Sequence, residues 1–183
     1  GLMLACKNNF THLKLADMLS RHEIVREYRA LVYGFVKEDR GMVDAPIGRS
    51  NSDRRKMAIN KDGKSAVTHF EVVERLGDIT DLKLVLETGR THQIRVHMRH
   101  IGHPLFSDEK YGGTEILKGL PTQKYKQYIQ NCFALCPRQV LHAKTLGFTH
   151  PRTGKRMFFD SEWPEDMTSL INKWRHYEPN TLQ

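Results

Sequence analysis

The sequence predicts an α+β fold in which one mixed, largely antiparallel sheet carries flanking helices. Residues 24–35 alternate between apolar and polar side chains, which is the pattern of a strand with one buried face. Two further pairs of such runs, 66–76 with 82–87 and 140–148 with 155–159, are joined by turn residues that include glycine, and each pair predicts a β-hairpin. Because the strands of a hairpin run in opposite directions, most of the sheet should be antiparallel.

Four helices are predicted between and after these strands. Apolar residues recur at helical spacing in residues 9–20 and 91–101, and a polar, aromatic segment at 122–133 predicts a surface helix. A last helix begins at Pro164 and has two acids in its first turn, where carboxylates suit the helix dipole. No repeat, linker or change of composition divides the chain, so residues 1–183 are predicted to form a single domain.

The 183-residue chain has the composition of a soluble globular protein, with 39% hydrophobic and 27% charged residues. Its 29 lysines and arginines against 21 acids give a net charge of +8, which favours a polyanion partner such as nucleic acid. It contains no long apolar run and no secretory leader, so we expect a soluble cytoplasmic protein that does not enter membranes. We also expect a monomer. Three cysteines without zinc-ligand spacing predict reduced thiols and no bound metal.

A markedly basic stretch lies at residues 89–104, which hold three arginines, four histidines and no carboxylate. Because these charges have no acidic neighbour within the segment, an external anion is their expected partner. On the predicted helix, His92, Arg95 and Arg99 follow at three- and four-residue spacing and share one face. The alternative is an ordinary solvated basic face, since most charged runs lie on the surface.

A second cationic segment, residues 49–56, contains Arg54, Arg55 and Lys56 and has no apolar residue. Its composition predicts a mobile loop. Such a loop is commonly a solvated turn, but beside the basic helix it could clamp the phosphates of a nucleic acid.

Several sequence blocks, which occur in the family's order, resemble the RluA family of pseudouridine synthases. They are REYRALV at 26–32 with Gly34, TGRTHQIRVH at 88–97, GHPL at 102–105, DEKYG at 108–112, LHA at 141–143 and THP at 149–151. The resemblance implies an enzyme of the pseudouridine synthase fold that isomerises uridine to pseudouridine in structured RNA without a cofactor. The overall pattern is most similar to the branch that modifies large-subunit ribosomal RNA.

The resemblance also implies roles for individual residues. Tyr28 matches the active-site tyrosine that packs against the uracil and could take the proton from C5. Arg95 matches the arginine that pairs with the nucleophilic aspartate, and Leu141 matches an apolar wall of the uracil pocket. The remaining cations and amides at the motif, together with the cationic loop, would hold RNA: Arg90, His92, Gln93, Arg99, Arg54, Arg55 and Lys56. Without the resemblance, a tyrosine or leucine on a strand is more often an ordinary core residue.

One block of the family is not found in the sequence. The nucleophilic aspartate of the family stands in a His-Arg-Leu-Asp-x-x-Thr-Ser-Gly block, and residues 1–8, GLMLACKN, resemble the text that directly follows it. If Gly1 is the glycine of that block, the aspartate lies five residues upstream, and the chain is most of a catalytic domain that lacks its N-terminal part. The chain by itself is then expected to bind RNA without turnover. The apolar run at 2–6 is predicted to be a strand that leaves an exposed edge.

Two other functions remain open at this stage. The first is a non-catalytic RNA-binding module that retains the groove of the synthase. The second is a metal-dependent nuclease, which would need paired carboxylates and histidines at ligand spacing that the sequence does not offer.

Overall fold

The computed structural model describes residues 1–117 and 122–177. The elements follow in the order α1 (Asn9–Ser20), β1 (Val25–Tyr33), β2 (Arg40–Asp44), β3 (Ile47–Arg49), β4 (Met57–Ile59), β5 (Val67–Arg75), β6 (Ile79–Leu86), α2 (Gln93–His100), a 3-10 turn (Glu109–Tyr111), α3 (Gln123–Leu135), β7 (Leu141–Thr149), β8 (Arg156–Asp160) and α4 (Glu165–Arg175). The predicted α+β class is confirmed.

Six strands form one sheet in the order β2-β5-β6-β1-β7-β8, and β3 pairs with β4 in a separate two-stranded hairpin. All strand pairs among the described residues are antiparallel. The two predicted hairpins are present as β5–β6 and β7–β8. β1 is central because it pairs with β6 on one side and β7 on the other.

The two faces of β1 belong to different parts of the molecule. Leu31 and Tyr33 point into a core that also contains Ile129 of α3 and Trp174 of α4, so α3 and α4 cover that side of the sheet. Residues Ala30 and Val32 point to the opposite side, because successive side chains of a strand alternate.

Helix α2 covers the opposite side of the sheet. It buries Ile94 and Met98 against Ala30 and Val32 of β1. The helix ends before Gly102, which has φ +83°, and the backbone N–H of His103 donates to the carbonyl of Met98. The stop predicted at Gly102 is therefore confirmed, and it has the left-handed residue common after helix ends.

The chain begins beside the sheet without joining it. Leu2 donates its backbone N–H to the carbonyl of Ala143 in β7 over 3.0 Å, and Leu2 and Leu4 pack against Leu15 of α1. Residues 2–6 form no strand and make no ladder with the described residues, so the strand predicted there is wrong. A single hydrogen bond is too few to define a strand pair.

None of the helices in the described ranges is long and apolar enough to span a membrane.

Candidate active site

Tyr28 and Leu141 lie on the α2 side of the sheet. Tyr28 stands opposite Leu84 of β6 and Ala143 of β7, and the register of β1 and β7 shifts at this point because Lys144 is left unpaired between Ala143 and Thr145. Such bulges re-aim side chains and are common beside functional sites. Tyr28 and Leu141 are half-buried and pack on the same apolar cluster as α2.

Arg95 projects from α2 into the protein and not into open water. Its side chain is only 12% exposed, and its Nε and Nη2 donate to the two carboxylate oxygens of Asp108 over 2.8 and 2.7 Å. This is the bidentate geometry in which arginine binds carboxylates most strongly. Asp108 is fully buried, and it is a different carboxylate from the upstream aspartate that the resemblance implies as the partner of Arg95.

Tyr111 connects this ion pair to the β3–β4 hairpin. Its ring lies 4.8 Å from the guanidinium carbon of Arg95, and its hydroxyl accepts the backbone N–H of Met57. The same hydroxyl is 2.8 Å from Nδ1 of His92, and burial together with Arg95 and Lys110 lowers the pKa of His92. A neutral imidazole can accept the Tyr111 proton, so the contact holds the helix start against the 3-10 turn.

His92 itself has a left-handed backbone, with φ +56°, at the position just before α2. This conformation is uncommon for residues other than glycine and occurs most often where surrounding contacts hold it in place. The bond to Tyr111 provides such a contact. His92 and Arg95 are thus brought together as predicted, but their shared neighbour is Tyr111.

Gln93 has a different use from the one predicted. It is buried, its Oε1 accepts from the Thr88 hydroxyl and the Arg90 backbone, and its Nε2 donates to the Val67 carbonyl and the Thr68 hydroxyl. All four hydrogen-bonding positions of the amide are occupied within the protein. Gln93 is therefore not available to bind RNA, and its side chain connects the start of α2 to β5 by hydrogen bonds.

Two polar clefts flank the β3–β4 hairpin. One, of about 400 Å³, runs between the hairpin and α2 and is lined by Lys56, Arg99 and His100 as well as Tyr111. The other, of about 490 Å³, contains Arg90 in its lining. Lys56, Arg99 and Arg90 are thus placed along grooves, which is where cations can meet a nucleic acid backbone.

The cationic loop between β3 and β4 is less positive than its sequence predicts. Arg55 pairs with Asp53 within the loop, with its Nε 3.1 Å from a carboxylate oxygen, and these hydrogen bonds lower the pKa of Asp53. Arg54 is exposed, and its backbone carbonyl accepts a hydrogen bond from Nη1 of Arg49. An exposed pair of this kind is weak, so Arg55 can exchange Asp53 for a phosphate at little cost.

Sequence reasoning missed the importance of Asp108 and Tyr111. Both stand in the DEKYG block that supported the family resemblance, yet neither was assigned a role. The sequence could have indicated this pair, because Asp108 follows the basic helix after a short loop and a buried arginine needs a carboxylate partner.

The histidines of the basic segment have separate partners. His97 is buried between the Thr68 hydroxyl and the Ala45 carbonyl, and His103 contacts the Tyr33 carbonyl through Nδ1. In the described part of the chain, no three His, Cys, Asp or Glu side chains are grouped as they would be to hold a metal ion.

Comparisons with known proteins show the family to which the chain belongs. A family profile described as RNA pseudouridylate synthase matches residues 1–100. The chain belongs to this family, in its RluA branch. It is 44% identical over 175 residues to an uncharacterised RNA pseudouridine synthase of Bacillus subtilis, and 43% identical over 175 residues to the ribosomal large subunit pseudouridine synthase D of Pseudomonas aeruginosa.

These alignments cover 96% of this chain but 52% and 53% of the two relatives. The chain therefore spans about half the length of the curated relatives it matches. Its fold is similar to that of the human RNA pseudouridylate synthase domain containing 4 protein, with a TM-score of 0.69 at 20% identity, covering 94% of this chain and 70% of the other. These matches confirm the predicted family and fold.

Proposed function

We propose that this chain forms most of the catalytic domain of an enzyme that isomerises uridine to pseudouridine in structured RNA, with large-subunit ribosomal RNA as its substrate. The observation that carries the proposal is that Tyr28 and Leu141, the residues matching the uracil pocket, lie together on the side of the sheet covered by the basic helix α2. The printed names of the relatives support the choice of ribosomal RNA.

The reaction must break the bond from N1 of the base to the ribose, turn the base and rejoin it through C5. Tyr28 would pack against the uracil and accept the C5 proton, while Leu141 would close the apolar side of the pocket. A carboxylate would attack or stabilise the electron-poor sugar carbon, or remove a sugar proton. Nη1 of Arg95 would orient that carboxylate, because Nε and Nη2 are bonded to Asp108.

We further propose that the aspartate stands five positions before Gly1 in a longer chain. Gly1 lies against Ala143, the residue opposite Tyr28, since a Cβ on Gly1 would be 2.6 Å from the Ala143 nitrogen. Residues preceding Gly1 would therefore start next to Tyr28. Five extended residues reach at most about 17 Å, which keeps such an aspartate near the pocket.

The RNA would approach over the two clefts beside the β3–β4 hairpin. A base inside a helix cannot reach an enclosed pocket, so the target nucleotide must be extruded while cations hold the flanking phosphates. Arg90, Arg99 and Lys56 line the clefts, and Arg54 and Arg55 stand on the hairpin turn. We propose that the protein works as a monomer, without a cofactor, in the cytoplasm where its RNA substrate would be found.

Tritium release from RNA labelled at C5 of uridine tests the chemistry. A chain extended upstream to include the aspartate should release tritium, and Tyr28→Phe should slow release by about a hundredfold or more. Arg40→Gln, at an exposed arginine on the edge strand β2, is the matched control and should behave as the wild type. Wild-type release by the Tyr28 variant would refute the assigned role of the tyrosine.

A non-catalytic RNA-binding module is the second candidate. The Arg95–Asp108 pair favours it, because that guanidinium is neutralised without a further carboxylate. The coding sequence upstream of Gly1 separates the two functions: an aspartate five positions ahead supports the enzyme, and another residue there supports the binding module. Residues 1–183 alone should bind RNA without turnover under either proposal.

A further inference from the structure

Arg26 lies on β1 two residues before Tyr28, so the two side chains project from the same side of the sheet. Its guanidinium lies against Gly89 in the turn between β6 and α2. A Cβ placed on Gly89 would be 2.7 Å from Nη1 of Arg26, so the missing side chain at position 89 makes room for the guanidinium.

In the part of the chain that the structure describes, the side chain of Arg26 has no partner for its charge. Among residues 1–117 and 122–177 its guanidinium makes no hydrogen bond or ion pair, and its Nε is buried without an acceptor. Burial lowers the pKa of Arg26, while the nearby Tyr28 raises it. Arg95, by contrast, is neutralised by Asp108. A guanidinium that is partly withdrawn from water and has no acceptor for its buried Nε indicates a site that an outside anion completes.

The surroundings of Gly89 indicate what that anion is. The side chain of Arg26 remains partly exposed, so a ligand can reach it. Gly89 also lines the cleft of about 490 Å³ whose other lining residues include Arg49, Lys64 and Arg90, with Asp62 as its carboxylate. A row of cations therefore continues from this cleft across the Gly89 turn to Arg26, and a polyanion strand fits such a row better than a single small anion.

We propose that Arg26 binds a phosphodiester of the RNA strand that crosses the Gly89 turn, beside the nucleotide held at Tyr28. This inference rests on the proposed function, because it takes the Tyr28 side of the sheet as the RNA-binding side. The planar guanidinium can grip a phosphate with two parallel N–H donors, which lysine cannot do. Arg26 is then a positioning residue that fixes where the strand enters the pocket.

The test measures binding of residues 1–183 to a fluorescein-labelled RNA stem-loop with one loop uridine, by anisotropy at several salt concentrations. Arg26→Gln should weaken binding about tenfold or more, as expected for a charge-assisted contact. It should also lower the slope of log affinity against log salt by about 0.7, the value for one single-strand phosphate. Arg40→Gln serves again as the exposed control and should leave the slope unchanged.

A neutral linkage identifies the contact. The phosphodiester linkages of the loop are replaced one at a time by methylphosphonate, which carries no charge. The sugar on the 5′ side of the replaced linkage is 2′-deoxyribose, and the reference RNA with the normal phosphodiester carries the same sugar. One replacement should weaken the wild type and have no further effect on Arg26→Gln. If Arg26→Gln fails to fold, as judged by circular dichroism, Arg26→Lys replaces it in the comparison. Neutralising that same linkage should then weaken the binding of Arg26→Lys by a different factor from the binding of the wild type.

The absence of coupling at every linkage, or an unchanged affinity and slope, would overturn the inference. The inference would also be overturned if Arg26→Gln, made in the upstream-extended chain, abolished turnover but left RNA binding unchanged. Arg26 would then act on the catalytic carboxylate and not on a phosphate. If coupling is found and the extended chain releases no tritium, the phosphate contact stands and the proposed chemistry falls.

Discussion

Replacing Asp108 by asparagine should destabilise the protein strongly, because it leaves the charge of Arg95 buried without a counter-charge. The Asp108 side chain is 0% and that of Arg95 12% exposed, and the aspartate also accepts the backbone N–H of Tyr111. Breaking a buried pair by removing one partner costs about 3–5 kcal/mol. We expect a loss at the lower end of this range, about 3 kcal/mol, because asparagine keeps the shape of the side chain and one acceptor oxygen. For a chain of this size, that loss should lower the Tm by about 6–12 °C.

Urea unfolding followed by tryptophan fluorescence measures this loss, since Trp174 is buried in the core. The matched control is Glu71→Gln, which breaks the exposed pair with Arg40 and should cost less than about 1 kcal/mol. A double-mutant cycle with Arg95→Ala should show coupling of the two residues. If the free energy of unfolding of Asp108→Asn lies within about 1 kcal/mol of that of the wild type, the buried pair does not stabilise the fold.

Three further perturbations test other parts of the structure. Gln93→Ala should lower the free energy of unfolding by about 2 kcal/mol in urea, because it leaves buried groups unpaired, while RNA affinity measured on folded protein stays the same. Burial lowers the pKa of His97, so the unfolded state takes up its proton first, and the contribution of His97 to stability should be constant above about pH 6.5 and fall below it. His97→Gln should flatten that fall in a pH series of urea melts, and His12→Gln on the exposed side of α1 should not. Gly113→Ala should lower the stability more than Gly154→Ala, because a Cβ at position 113 would lie 1.8 Å from a backbone oxygen. A Cβ at position 154 has open space, so that variant should lose only the about 1–2 kcal/mol that a left-handed backbone, here with φ +68°, costs a residue other than glycine. Thermal unfolding measures both losses, and equal losses would contradict the clash at position 113.

The helices, β1 and the hairpins β5–β6 and β7–β8 could be predicted from local signals, whereas the short β3–β4 hairpin was not predicted. Alternation along β1 and across the two hairpins, and helical spacing before Gly102, depend on neighbours within one element, which the sequence shows directly. The apolar run at 2–6 failed because a strand also needs a partner with free backbone groups. Only Leu2 finds one, at Ala143.

The sequence indicated which residues belong to the candidate site, but it did not indicate what several of them contact. The motif resemblance indicated Tyr28, Arg95 and Leu141, and the structure places Tyr28 and Leu141 in one cluster with α2. The partner of Arg95 is thirteen residues further on, and only the folded turn at Asp108 brings the two together. Gln93 illustrates the opposite difficulty, because a polar side chain looks free in sequence even when every donor and acceptor is used inside the protein.

Strand β1 constrains how this protein can evolve. Its even-numbered positions from 26 to 32 face the groove side, while Leu31 and Tyr33 support the helical core. A one-residue insertion or deletion in the strand would exchange the two sets, turning the groove-side residues toward the helical core and Leu31 and Tyr33 toward α2. Lineages of this chain can therefore vary β1 by substitution, whereas a change in its length would cost the core and the groove together.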